Sequence, residues 1–226
     1  MAALLTAHLL PLKRDTTMRL VLTFSGAYLL AVAVLDLLPM VYHGGGEHHH
    51  NIGLWVIGGY LLQLLLELFS GGVEHGHQHI HDLPKKKMPT ALLVALFLHA
   101  ILECTPIGAM GAGATATSLT LAIALHSFPI TIVLYSLLRS IQVSQALSIA
   151  LIVLFGGMHV LGVVLAGSLG FLRGAEHELT AITLGVFLHV STTILFESSK
   201  GHAFNLIKFA SIVAAFALAY FGHELI

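Results

Sequence analysis

Hydrophobic positions along this chain come in long runs and do not follow the alternation of a half-buried strand. Seven runs approach or exceed the roughly 20 residues that an α-helix needs to cross a bilayer. They cover about 18–42, 52–72, 89–113, 117–138, 142–172, 177–199 and 204–223. An eighth, "MAALLTAHLLPL" at residues 1–12, is too short to span and reads as the end of a first helix. It lacks the basic region that precedes the apolar stretch of a signal peptide and the small-residue cleavage site that follows one. The pattern predicts an all-α, polytopic membrane helical bundle of about eight transmembrane helices, the first short or truncated, as one membrane domain over residues 1–226.

The basic residues orient these spans, numbered here one to eight. Lys13, Arg14 and Arg19 fall between the first two, Lys85, Lys86 and Lys87 between the third and fourth, and Arg139 between the fifth and sixth. Lys200 and Lys208 flank the connection of the seventh to the eighth, and Arg173 alone sits in a loop of the other set. Because cytoplasmic loops collect lysine and arginine, this alternation places both termini outside, in a cell (inner) membrane.

Composition agrees with a bilayer and narrows the chemistry. The chain is 57% hydrophobic and 9% charged, with mean hydropathy +0.91; soluble domains carry roughly 25% charged residues. A net charge of −1 speaks against nucleic-acid binding. The single cysteine, Cys104, excludes an internal disulfide. Sixteen histidines outnumber the ten lysines and arginines.

Many of those histidines lie in two loops. "YHGGGEHHHN" defines an outer loop at 43–51, and "EHGHQHIHDLPKKK" an inner one at 74–88 that includes His75, His77, His79 and His81. Imidazole is the commonest side-chain ligand for borderline divalent metals, so both loops are candidates for gathering ions loosely. A polar loop without a role and the remnant of an affinity tag are the alternatives; tags are usually terminal and uninterrupted, and these tracts are neither.

Ionisable groups also interrupt the apolar runs. His99 and Glu103 are one helical turn apart and share a face of the fourth span. Counting about 1.5 Å per residue from the helix ends puts His126 and His159, on the fifth and sixth spans, within about two turns of them in depth. Titratable groups inside a bilayer mostly face the bundle interior and mark ion or proton routes. Neutral imidazoles with one carboxylate suit Zn²⁺, whose charge the carboxylate partly offsets. The bland alternative is that each group merely bonds a neighbouring helix. Pro106 and Pro129 lie close to these residues, and prolines in membrane helices are tolerated where they line a cavity or pack on protein.

The segments "LTFSGAYLLAVAVLDLLP" (22–39), "LHAILECTPIGA" (98–109), "LHSFP" (125–129), "FGGMHVLG" (155–162) and "GVFLHVSTTILFES" (185–198) together resemble the ZIP (Zrt/Irt-like) divalent-metal transporters, in order and spacing, from about residue 8 to the end. The resemblance implies eight helices, both termini outside, a histidine-rich loop between helices 3 and 4, and a site of one or two metals on helices 4 and 5. There the family carries patterns close to H-N-x-P-[ED]-G. In this chain His99 and Glu103 keep the histidine and acidic positions of the first, while Ala100, Leu102 and Cys104 replace the others. In the second, His126 keeps the histidine and Ile130 replaces the acid; His159 stands where helix 6 of the family often has glutamate. One ion held by His99, Glu103 and His126, with His159 nearby, is therefore expected.

Asp36 is a further candidate ligand on the access side, or an interfacial cap. His189 and Glu197, the latter with His202, are candidates toward the exit, and Glu67 either joins them or snorkels to the headgroups. Cys104 is expected to pack. The function implied is uptake of Zn²⁺, with Fe²⁺, Mn²⁺ and Cd²⁺ as other cargoes, by a protein that is not an enzyme. Its partners are divalent metal ions and the lipid bilayer, no nucleic acid, and a homodimer is left open. No phosphate-binding loop is present to couple ATP. The alternative is an intramembrane zinc-dependent hydrolase, although H-E-x-x-H is absent.

Overall fold

The computed structural model of the chain describes residues 15–43, 51–70, 88–197 and 206–225. Among these residues seven helices are long and apolar enough to cross a membrane, and there is no strand. The chain is thus a helical integral membrane protein. The half-length run at 1–12, His75, His77, His79, His81, His202 and most of the 43–51 loop lie outside the described residues.

The first span is not uniform. α1 (Asp15–Val32) passes through a π-helical turn (Ala33–Leu37) into α2 (Leu38–His43). The Leu38 N–H bonds the carbonyl of Ala33, five residues back. Pro39 follows at once; it has no N–H to return to Leu35, and its ring would press on that carbonyl in a regular α-helix. Asp36 sits in this turn and is buried. Single π turns inside helices are frequent at functional sites.

The remaining elements are α3 (Ile52–Ser70), α4 (Thr90–Met110), α5 (Ala114–Ser140), α6 (Gln145–Ser168), the one-turn α7 (Gly170–Arg173), α8 (Glu176–Glu197) and α9 (Leu206–Leu225). Their ends differ from the hydrophobic runs by a few residues. Gly111, at φ 76°, ends α4, and α5 then starts at Ala114, ahead of the expected 117. α6 stops at Ser168, short of its run's end at 172, because Leu169 is extended and the chain restarts as α7. Ser144 caps α6, its Oγ accepting the Leu147 N–H at 3.3 Å.

The first span, α4, α5 and α8 form the interior, with 56–67% of their most apolar windows buried, against 11–22% for α3, α6 and α9. Side chains such as Leu68, Val160 and Phe221 on those three point outward, as lipid-facing residues do. α4 packs most extensively on α6, α3 on α8, and α1 on α9. The first two pairs cross at glycines. A Cβ on Gly108 would lie 2.1 Å from the Val163 carbonyl oxygen, and one on Gly185 2.0 Å from that of Val56. Since lipid tails are as apolar as leucine, such close backbone approach supplies much of the attraction between membrane helices.

Pro106 removes the N–H that would have met the Leu102 carbonyl. That oxygen accepts instead from Thr105 Oγ1 at 2.8 Å and Thr183 Oγ1, on α8, at 3.3 Å. The helix is thereby satisfied from inside the protein, as the bilayer demands. Two apolar clusters fill the interior, one containing Leu119, Ile123, Phe187 and Cys104, the other Ala100, Ile130, Leu134 and Phe155. Along α4 and α5 the polar residues sit at the seam between these clusters, His99 and Glu103 beside Ala100 and Cys104, and His126 between Ile123 and Ile130.

Candidate metal centre

Regular helix over α4 places His99 and Glu103 one above the other, each 1% exposed, with His99 Nε2 3.3 Å from Glu103 Oε2. α5 brings His126, fully buried, against them: the His99 and His126 ring centroids are 6.2 Å apart at 74°. One ligand atom from each of His99, Glu103 and His126 lies within 4.8 Å of the others. Among the described residues this is the one such group of three histidine, cysteine or acidic side chains.

α6 adds His159. Its Nε2 is 2.8 Å from Glu103 Oε1 and 3.1 Å from Ser127 Oγ, and its Nδ1 is 3.0 Å from the Phe155 carbonyl oxygen. A carbonyl only accepts, so Nδ1 carries the proton and donates it, and Nε2 is turned to Glu103. The Phe155 ring packs edge-on against the imidazole at 4.9 Å. On the other side, His99 Nδ1 is 2.9 Å from Oε1 of Gln63, an amide on α3 that is itself fully buried. Two imidazoles are thus each held at Nδ1 and aimed with Nε2 at a different oxygen of one carboxylate. Imidazole nitrogens and a carboxylate are the donor set of tetrahedral Zn²⁺ sites, at about 2.0–2.2 Å from the ion.

The other candidates fall elsewhere. Asp36 has both oxygens engaged, Oδ2 by Ser118 Oγ and Oδ1 by His223 Nδ1, each at 2.5 Å, which ties α5 and α9 to the π turn. His189 pairs through Nε2 with Glu67 Oε2 at 2.6 Å, and the Tyr60 ring meets it edge-on at 4.8 Å. Neither Asp36 nor His189 belongs to the His99 cluster. Glu67, weighed as a snorkelling residue, turns instead to this imidazole. Glu197 is the last residue of α8. Cys104 is buried at the α4–α6 crossing, its Cβ 3.2 Å from where a side chain on Gly162 would begin. A largely apolar cavity of about 560 Å³ between α4, α5 and α6 has Cys104, Ser127 and His159 in its lining.

Gln63, Ser127, Ser118 and His223 do not emerge from ligand motifs. Gln63 had a usable signal, being the one amide in "LLQLLLELFS" and one turn before Glu67. Ser127 follows His126 directly, but a serine in a membrane helix usually bonds its own backbone, as Thr131 does to the Ser127 carbonyl. No family model matches this chain, and no curated protein matches it.

Proposed function

We propose that this chain moves divalent metal ions, Zn²⁺ foremost, across a membrane, binding one ion at a time between His99, Glu103 and His126 with His159 alongside. One observation carries it: three buried donors of the right chemistry, supplied by two helices, converge within 4.8 Å inside a bundle of seven apolar helices. Carboxylate and imidazole groups are costly to bury at such a depth, and a divalent cation suits the two together, since Glu103 offsets charge while neutral imidazoles donate lone pairs. The resemblance of the helix 4 and helix 5 segments to ZIP transporters supports the same reading, along with eight spans and Fe²⁺, Mn²⁺ or Cd²⁺ as further cargo. The distribution of basic residues supports both termini outside, and the resemblance to ZIP transporters supports uptake toward the cytoplasm.

In this scheme the protein need not change the ion chemically. It replaces the ion's water with His99, Glu103 and His126, and releases it when the helices bearing those ligands separate. Because α4 supplies two ligands and α5 one, a shift of one helix against the other would dismantle the site.

The deciding measurement is Zn²⁺ entry into sealed proteoliposomes loaded with a zinc-sensitive dye. Saturable uptake that disappears in correctly inserted Glu103→Ala protein is expected; near-normal uptake by that variant would overturn the proposal. The second reading, an intramembrane zinc hydrolase, draws on the apolar cavity that His159 helps to line, which could hold part of a lipid or peptide. Turnover of such substrates by zinc-loaded protein without flux would favour it.

A further inference from the structure

Helix α3 carries three features on one face at successive turns: Gly59, Gln63 and Glu67. A Cβ on Gly59 would lie 2.0 Å from the Ile182 carbonyl oxygen, so at that level α3 and α8 are in backbone contact. Glu67 reaches the same helix through its 2.6 Å contact with His189. Between these two anchors Gln63 faces away from lipid, fully buried, and its Oε1 meets His99 Nδ1 at 2.9 Å. A buried amide without hydrogen bonds costs roughly 2–7 kcal/mol, which makes it an uncommon choice among leucines unless it has a task.

The geometry points to Gln63 as a positioning residue for the metal centre, one that fixes the tautomer and ring orientation of His99; this rests on the reading of His99 as a metal ligand. An amide oxygen only accepts, so it requires the proton on Nδ1 and, once Nε2 is deprotonated, leaves that nitrogen's lone pair for the ion. Turning the amide over would present N–H groups to Nδ1, move the imidazole proton to Nε2 and close the donor. At His159 the same job is done by the Phe155 backbone carbonyl, which cannot turn over. At His99 it falls to a side chain from another helix, held in place by contacts that α3 makes with α8. The outer-shell partners of ligating histidines commonly act in this way, and their loss costs about 10–100-fold in metal affinity.

The test uses the full chain in detergent, titrated with Co²⁺ as a spectroscopic probe, together with ¹⁵N NMR of the histidine side chains in the metal-free protein. Gln63→Met keeps the size but loses the acceptor; Gln63→Glu keeps an acceptor. Gln63→Met is expected to weaken Co²⁺ binding by about 10–100-fold, to change the visible bands of the bound ion, and to move His99 away from the Nδ1–H tautomer. Gln63→Glu should restore affinity to within about tenfold of wild type, a rescue that a purely packing role would not produce. Wild-type affinity and an unchanged tautomer in Gln63→Met would overturn the inference while leaving the metal centre standing. If Gln63→Met fails to insert, Gln63→Glu still decides: a folded protein that has lost Co²⁺ binding overturns it. Failure of the wild type to bind Co²⁺, or equal binding by His99→Ala, would instead remove His99 as a ligand and the transport proposal with it.

Discussion

Glu103 divides its two oxygens between two helices: Oε1 lies 2.8 Å from His159 Nε2 on α6, and Oε2 lies 3.3 Å from His99 Nε2 on its own helix. A carboxylate shared in this way is the hub of the polar cluster, and every histidine around it can be ranked by how it reaches that hub.

Glu103→Ala removes the one carboxylate in the cluster. Flux should be lost, and Zn²⁺ affinity should fall by more than the roughly 10–100-fold expected of an outer-shell partner, while helicity by circular dichroism stays near wild type. His99→Ala and His126→Ala should each weaken binding far more than His43→Ala does, as measured by competition with a fluorescent chelator.

The centre should hold one ion. Two bridged divalent cations bring four positive charges to a site of low dielectric, where unpaired charge is costly, and Glu103 alone faces them, because α5 offers Ile130 and α6 offers His159. Anomalous scattering from zinc-soaked crystals should show a single peak at this depth; two fully occupied ions less than about 5 Å apart, a bridged-pair separation, would refute it. His159→Glu should tighten binding, admit a second ion and slow release.

Replacing His75, His77, His79 and His81 together by serine should preserve transport, since a histidine-rich connection between spans is expected to gather or sense ions and not to form the passage. A changed rate or altered metal-dependent regulation is the expected effect. Complete loss of flux in inserted protein would place the loop in the path.

Packing can be tested at the glycine crossings. Gly185→Val should lower thermal stability in detergent at or above the upper end of the roughly 1–3 kcal/mol that overpacking costs, because its Cβ would start 2.0 Å from the Val56 carbonyl oxygen and 2.7 Å from the Tyr60 amide nitrogen. Gly157→Ala, with nothing within 4 Å of the added carbon, should be neutral or slightly stabilising. Equal losses in both would show that the crossing is looser than it is drawn.

Local features were legible without the structure because the bilayer and the helix impose fixed lengths. Hydrocarbon about 30 Å thick forces apolar runs of about 20 residues, so each of the seven spans could be read from its own residues. The 3.6-residue period put His99 and Glu103 on one face, and counting along helices placed His126 and His159 near their depth.

Lateral arrangement has no such local rule. Which helices lie together is decided by side chains far apart in sequence meeting on two surfaces at once, as Gln63 meets His99 across 36 residues and Glu67 meets His189 across 122. Sequence alone determined that polar groups exist at one depth in an apolar bundle. Only tertiary structure decided that His189 turns to Glu67 and Asp36 to His223, away from the centre, and that His159 turns to Glu103. Depth is a coordinate along one helix, whereas a shared site also needs the angle around each helix and the neighbour it faces, and those are set by packing at crossings such as Gly59 with α8 and Gly162 with α4.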